Sequence, residues 1–257
     1  MNMKTKDMDI NEVDVNSLKT KNKESRNTKT YNVGNAPRNE QIKNDVNVED
    51  FVYKPKPVYS FFKRLFDLLV SFVCLIILLI PFLIVSLMIL IDDHKAAPIF
   101  VQNRVGKNGK IFKIFKFRTM CANAEEKIVE LQALNEADGP VFKIKDDPRI
   151  TKVGRLLRAS NIDELPQLFN IFLGNMSFVG PRPALPNEVD QYRESDKLRL
   201  LVTPGLTCYW QATKNRNDVS FDEWMELDRK YIMERSVIVD IKLIFKTFLF
   251  LFKRSGY

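Results

Sequence analysis

Two acidic residues stand side by side at Asp163-Glu164, ahead of Leu165-Pro166-Gln167 and an apolar run, Leu168 to Leu173, that stops at Gly174-Asn175. Proline is tolerated only in the first turn of a helix, so a helix is expected to begin close to Asp163, and Ser160-x-x-Asp163 fits a capping pattern. Neighbouring helical residues point about 100° apart, so these carboxylates could not flank a substrate symmetrically and would take different roles. Capping is the simpler role for such a pair; covalent or acid–base chemistry is the other.

Downstream, Phe178-Val179-Gly180-Pro181-Arg182-Pro183 sets one arginine between two prolines. The stiff backbone presents a guanidinium at little entropic cost, which suits a phosphate as well as a plain surface turn. Lys152, Arg155 and Arg158 precede the acids and make a basic neighbourhood that could receive a polyanion. His94 is the single histidine, so no histidine-dependent triad forms except around it, and it sits at the edge of an apolar segment. Cys74, Cys121 and Cys208 match neither a zinc spacing nor a redox pair.

The elements that must position these groups are readable in outline. Ile99-Phe100-Val101 and Ile111 to Arg118 read as strands joined through Asn108-Gly109, a type I′ hairpin signal, with Lys116 and Arg118 on one face. Gly106-Lys107-Asn108-Gly109-Lys110 lacks the ending of a phosphate loop and reads as a turn. Ala122 to Leu134 is expected to be helical. At the end of the chain, Lys242, Lys246 and Lys253 recur at helical spacing through a greasy aromatic stretch, as in an interfacial helix.

Leu68 to Ile91 holds 24 residues without a charge, about 36 Å as a helix and enough to reach across a bilayer core. Pro81 lies in its middle and should kink or break it. Since proline is common in spanning helices, the residues alone favour a kinked span, while a mid-depth bend also permits a re-entrant hairpin. The 257-residue chain is 45% hydrophobic and 28% charged, with net charge +8. Residues 1–50 hold ten asparagines and nine charges of each sign, so all of the net charge belongs to the remainder. That stretch is expected to be a disordered tail without a signal peptide. Trp210, Trp224 and the tyrosines form no basic-aromatic stripe, so no nucleic-acid partner is expected.

From about Phe62 onward the chain resembles the bacterial sugar transferases, the monotopic polyprenol-phosphate phosphoglycosyl transferases. The likeness is carried by Gln102-Asn103-Arg104-Val105-Gly106-Lys107, Phe115-Lys116-Phe117-Arg118-Thr119-Met120, Gly154-Arg155-Leu156-Leu157-Arg158 and Asp163-Glu164-Leu165-Pro166-Gln167. It continues through Met176 to Pro183, Thr203-Pro204-Gly205-Leu206-Thr207, and Leu227-Asp228 with Tyr231. The order of so many matches makes the likeness specific. The chain departs from the family's usual residues at Ile80-Pro81, where Ser-Pro is frequent, at Ala97-Pro98, and at Lys214-Asn215-Arg216.

The resemblance implies an α/β fold: a monotopic membrane protein with a Pro-broken re-entrant membrane helix, a small β-hairpin and several interfacial helices around a cytoplasmic catalytic domain. The divisions are then 1–57, disordered tail and linker; 58–95, the re-entrant region, broken near Pro81; and 96–257, the catalytic domain, at the cytoplasmic face of a bacterial cell membrane. It implies that Asp163 attacks the sugar-linked phosphate of a UDP-sugar, releasing UMP, and that polyprenyl (undecaprenyl) phosphate then accepts the phosphosugar. Asp163 would also touch Mg²⁺, Glu164 would assist as base or support, and Lys116, Arg158, Arg182 and Arg216 would hold phosphates and nucleotide. Membrane lipids are further partners, and a second copy in a homodimer is a possible one. From another class, a membrane-anchored basic scaffold docking a partner or lipid accounts for the net charge alone.

Overall fold

The apolar stretch forms two helices, α1 (Pro57–Ile77) and α2 (Leu79–Asp92), bent by 61° at Leu78. The computed structural model describes residues 53–124, 126–128, 131, 135–136, 139–141, 144, 146–212 and 219–253. Among these, no single helix is long and apolar enough to cross a membrane; only the bent pair passes together. The bend has a local cause. Pro81 has no N–H for the Ile77 carbonyl and its ring crowds that group, so α1 ends there and α2 restarts with Pro81 in its first turn. The break thus falls ahead of Ile80-Pro81.

One side of the pair stays open: Phe61, Leu69, Ile76, Ile80, Leu83 and Ile91 are each more than half exposed. The other side is anchored by polar contacts. Arg64 donates to the carbonyls of Ile171 and Phe172 at 2.7 and 2.8 Å, and the buried Asp67 accepts the Phe178 N–H at 3.1 Å. At the far end, Asp92 accepts the Val153 N–H and Asp93 the Ala122 N–H, both at 3.0 Å.

Next comes an antiparallel hairpin of β1 (Ile99–Val105) and β2 (Ile111–Phe117), in register from Ile99↔Phe117 to Val105↔Ile111. Asn108 and Gly109 have φ of 56° and 72°, the two positive values that a type I′ turn needs. Residues 106–110 are therefore a turn. Of the helix expected over Ala122 to Leu134, Glu126–Ile128 forms a 3₁₀ turn, and much of the rest lies outside the described residues, as do residues 1–50.

The site-bearing half then follows. Helix α3 (Lys152–Ser160) is capped by Thr151, whose hydroxyl accepts the Gly154 N–H at 3.0 Å, and ends at Asn161 in the left-handed region. A 3₁₀ turn at Ile162–Glu164 leads to α4 (Gln167–Leu173), closed by Gly174 at φ 85°. Strand β3 (Ser177–Val179) pairs in parallel with β4 (Gly205–Thr207), across the short helices α5 (Pro186–Val189) and α6 (Glu194–Lys197). Helices α7 (Phe221–Glu234) and α8 (Val237–Lys253) complete a mixed helix-and-strand fold. Ile114, Leu168, Ile171 and Met176 bury the join between β2 and α4, with Cys74 and Leu75 of α1 packed on it. Along α8, Ile238, Ile241, Phe245 and Phe248 are exposed beside the exposed Lys242 and Lys246, while Leu243 is buried.

Candidate active site

Asp163 and Glu164 occupy the 3₁₀ turn between α3 and α4, not the first turn of an α-helix. Pro166 has no N–H to give the Ile162 carbonyl, so Leu165 takes that carbonyl at 3.1 Å with tighter spacing and the α-helix starts only at Gln167. The capping pattern expected for Ser160 is absent, because Ser160 ends α3 and its hydroxyl donates back to the Leu156 and Leu157 carbonyls. Nor is Asp163 held anionic by a helix start. Removal from water, then the adjacent Glu164, pushes its carboxyl up to about 6, while Lys116 and Arg158 oppose the shift.

The cations reach this turn from separate elements. Lys116 of β2 donates to Glu164 Oε1 at 2.9 Å. That strand is stitched to α4 by the fully buried Asn170, whose side chain accepts the Phe115 N–H at 3.0 Å and donates to the Lys113 carbonyl at 2.6 Å. Such side-chain pairing mimics a neighbouring strand and satisfies buried backbone groups. Arg158 of α3 is fixed by an Nε hydrogen bond to the Thr119 hydroxyl at 2.9 Å. Gly154 allows that approach: a Cβ there would lie 2.0 Å from the Thr119 carbonyl oxygen.

Arg182 enters from the loop after β3. Its backbone carbonyl accepts from Arg199 at 2.9 Å, and both guanidiniums lie against the Trp224 ring, 5.8 and 4.8 Å from its centroid. Arg199 is itself buried, 2.8 Å from the buried Asp228 carboxylate. No aligned hydrogen bond accompanies this contact, and burial pushes Asp228 up to about 6 despite the nearby charge.

A cleft opens between these groups, lined by Arg104, Lys116, Glu164, Gln167, Arg182 and Gln211, among others. Asp163 and Arg158 do not line it: Asp163 adjoins Glu164 in the 3₁₀ turn, and Arg158 acts on Asp163 through its charge. Of the residues that the resemblance singles out, Lys116, Glu164 and Arg182 line this cleft; Arg216 lies outside the described residues, and Pro81 belongs to the bend. Arg104 and Gln167 went unassigned. The signal available for Arg104 was its place within an otherwise strand-like run, Gln102 to Val105.

The donor set suits a hard cation of the Mg²⁺ kind, which keeps water and substrate phosphates around one or two carboxylates. Among the described residues no group of three or more acidic, His or Cys side chains stands ready for a metal. Asp163, crowded by Glu164, is a carboxylate that a dication would relieve.

The family model for bacterial sugar transferases matches residues 58–254. The chain belongs to the bacterial sugar transferase family. Relatives of this bacterial sugar transferase include a galactosyl transferase, CpsE, of Streptococcus agalactiae, 47% identical over 58% of this chain and 33% of its own length. The undecaprenyl-phosphate galactose phosphotransferase of Salmonella typhimurium is 39% identical over 76% of this chain and 41% of its own length. The exopolysaccharide production protein ExoY of Sinorhizobium fredii is 38% identical over 75% of this chain and 86% of its own length. The chain therefore spans well under half of the first two relatives and most of the third.

Proposed function

We propose that this chain is a polyprenyl-phosphate phosphoglycosyl transferase, working at the inner face of a bacterial membrane to begin assembly of an exopolysaccharide, capsule or glycan. The observation that carries the reading is an acidic turn, Asp163-Glu164, set against Lys116 beside a cleft that also holds Arg182. An Asp163 oxygen attacks the sugar-linked phosphorus of a UDP-sugar; the bond from that phosphorus to the bridging oxygen breaks, and UMP leaves with the electron pair. An oxygen of polyprenyl phosphate then attacks the same phosphorus, the acyl phosphate bond breaks, and the Asp163 carboxylate is restored with a polyprenyl-diphosphate sugar as product. Arg158, Arg182 and Lys116 orient the phosphates and meet the charge that develops on them. Glu164, paired with Lys116, steers that lysine and is the available proton acceptor. Arg216 is assigned to the nucleotide. Bound at Asp163, Mg²⁺ would neutralise charge between the anionic nucleophile and the diphosphate.

Residues 58–95 enter the membrane as a re-entrant helix, a reading supported by the same polar body holding both ends of the bent pair. At the start of α1, Lys63 and Tyr59 bond to Asp240 at 2.6 and 2.7 Å; at the end of α2, Asp92 bonds to α3. A spanning segment would place those ends on opposite sides of the bilayer. The exposed apolar residues of α1, α2 and α8 supply the lipid-facing surface, with Lys242 and Lys246 placed for anionic head groups. Residues 96–257 then form the catalytic part.

Purified protein with Mg²⁺, UDP-sugars and polyprenyl phosphate should release UMP, and protein with donor alone should carry a labile phosphosugar on Asp163 by mass spectrometry. Asp163→Asn should remove the adduct and slow UMP release by about 10³-fold or more. Turnover that survives this substitution would refute the nucleophile.

A further inference from the structure

Arg104, near the end of β1, is 6% exposed and lines the same cleft as Lys116, Glu164 and Arg182. Its two terminal nitrogens donate to the Pro183 carbonyl at 3.1 Å and to Gln102 Oε1 at 2.8 Å, while Nε is buried without a partner. Among the described residues no carboxylate forms an ion pair with it. Glu188 and Glu164 act on it from farther away, Arg182 repels it, and burial followed by that repulsion lowers its pKa to about 10. Next to it, the Val105 N–H donates to the Ala184 carbonyl at 2.8 Å, so the end of β1 is fastened to the segment that carries Arg182.

A fastening of Pro183 alone could be made by a neutral donor, without taking a charge out of water beside a second arginine. An uncompensated guanidinium in a cleft makes physical sense when its counter-charge arrives with the ligand. Three cations, Arg104, Lys116 and Arg182, face one lining carboxylate, Glu164, leaving an excess of +2. A nucleoside-diphosphate sugar carries two negative charges on its diphosphate, and a lipid monophosphate close to the same number near neutral pH.

We propose that Arg104 is a further substrate-binding residue, whose buried guanidinium grips an anionic phosphoryl oxygen of the substrate in concert with Arg182 and Lys116. This rests on the transferase reading for the identity of the substrate, and on the cleft alone for the chemistry of the ligand. Its fork supplies directed donors where Lys116 supplies a point charge, so it fixes the orientation of the phosphoryl group.

The test is titration of UDP and of inorganic pyrophosphate, with Mg²⁺, into the full chain in lipid nanodiscs, for wild type, R104Q, R104K and the exposed-turn control K107Q. Calorimetry should show R104Q weakening both anions by roughly tenfold or more, R104K by a few-fold, and K107Q not at all. Turnover kinetics form the second arm. A rise in KM for polyprenyl phosphate, with UDP binding intact, would assign the guanidinium to the acceptor phosphate and sustain the proposal. A folded R104Q, melting within a few degrees of wild type, with wild-type UDP and pyrophosphate binding and unchanged KM for polyprenyl phosphate, would overturn it. If R104Q does not fold, R104K decides, and undiminished affinity in both arms is the overturning result. Binding that depends on Arg104 in a protein that never releases UMP would sink the reaction and leave this site standing.

Discussion

A carboxylate has to be ionised to attack, yet burial and then Glu164 push Asp163 up to about 6, and Lys116 and Arg158 offset only part of that rise. From an ordinary 3.8, the folded protein binds more protons than the unfolded chain between about pH 4 and pH 6. Stability associated with this side chain is therefore present below about pH 4 and lost as pH rises through about 6. Asp163→Asn should accordingly raise the melting temperature at pH 7.5, by roughly 3–6 °C, with the gain vanishing towards pH 4. An unchanged melting curve at pH 7.5 would contradict the burial of that charge. In the wild type, adduct formation should climb with pH through about 6 and then level off, which rapid-quench measurements across pH 5 to 8 would show. The acidic pair was visible in the sequence; the direction of its titration was not, because it is set first by burial, which only the fold decides and which outweighs the opposing Lys116 of β2 and Arg158 of α3.

Elements differed in how far their residues specified them. Asn108-Gly109 states its turn outright, since positive φ at both positions is what that dipeptide tolerates, and Gly174 likewise marks the end of α4. The turn at Asp163 was harder to read, because the lost Pro166 N–H converts a helical start into a 3₁₀ turn and the capping pattern at Ser160 is coincidental. Gly154 shows a role no local pattern reveals: it seats α3 on the Thr119 backbone, which in turn fixes Arg158. Gly154→Ala should cost about 1–3 kcal/mol by forcing the helix away from Thr119, and should slow turnover as Arg158 and the acidic turn shift together. Thermal melts and steady-state rates on the same preparation would check both; wild-type values for each would show that the contact relaxes freely.

For the molecule as a whole, the bent pair and the polar body are joined at both ends, through Asp240 with Lys63 and Tyr59, and through Asp92 with α3. Tags placed near Tyr31 and at Tyr257 should both be shielded from impermeant reagents in intact cells. Opposite accessibility would refute the re-entrant placement and restore the kinked span that Leu68 to Ile91 suggests by length alone. The bend itself has a cause in the chain, because the groups that Pro81 cannot bond and crowds lie at Ile77, one turn earlier.

A series of ordered motifs was enough to give the family and to single out the acidic pair Asp163-Glu164, and an uncharged 24-residue run marked the apolar segment. Those are local facts, carried by residue type and spacing. Tertiary structure decided which charges share the cleft: Lys116, Glu164 and Arg182 come from distant parts of the chain, and Arg104 joins them by burial at the end of β1. Electrostatic energy depends on distance through space and on exclusion of water, and neither quantity is written along a sequence.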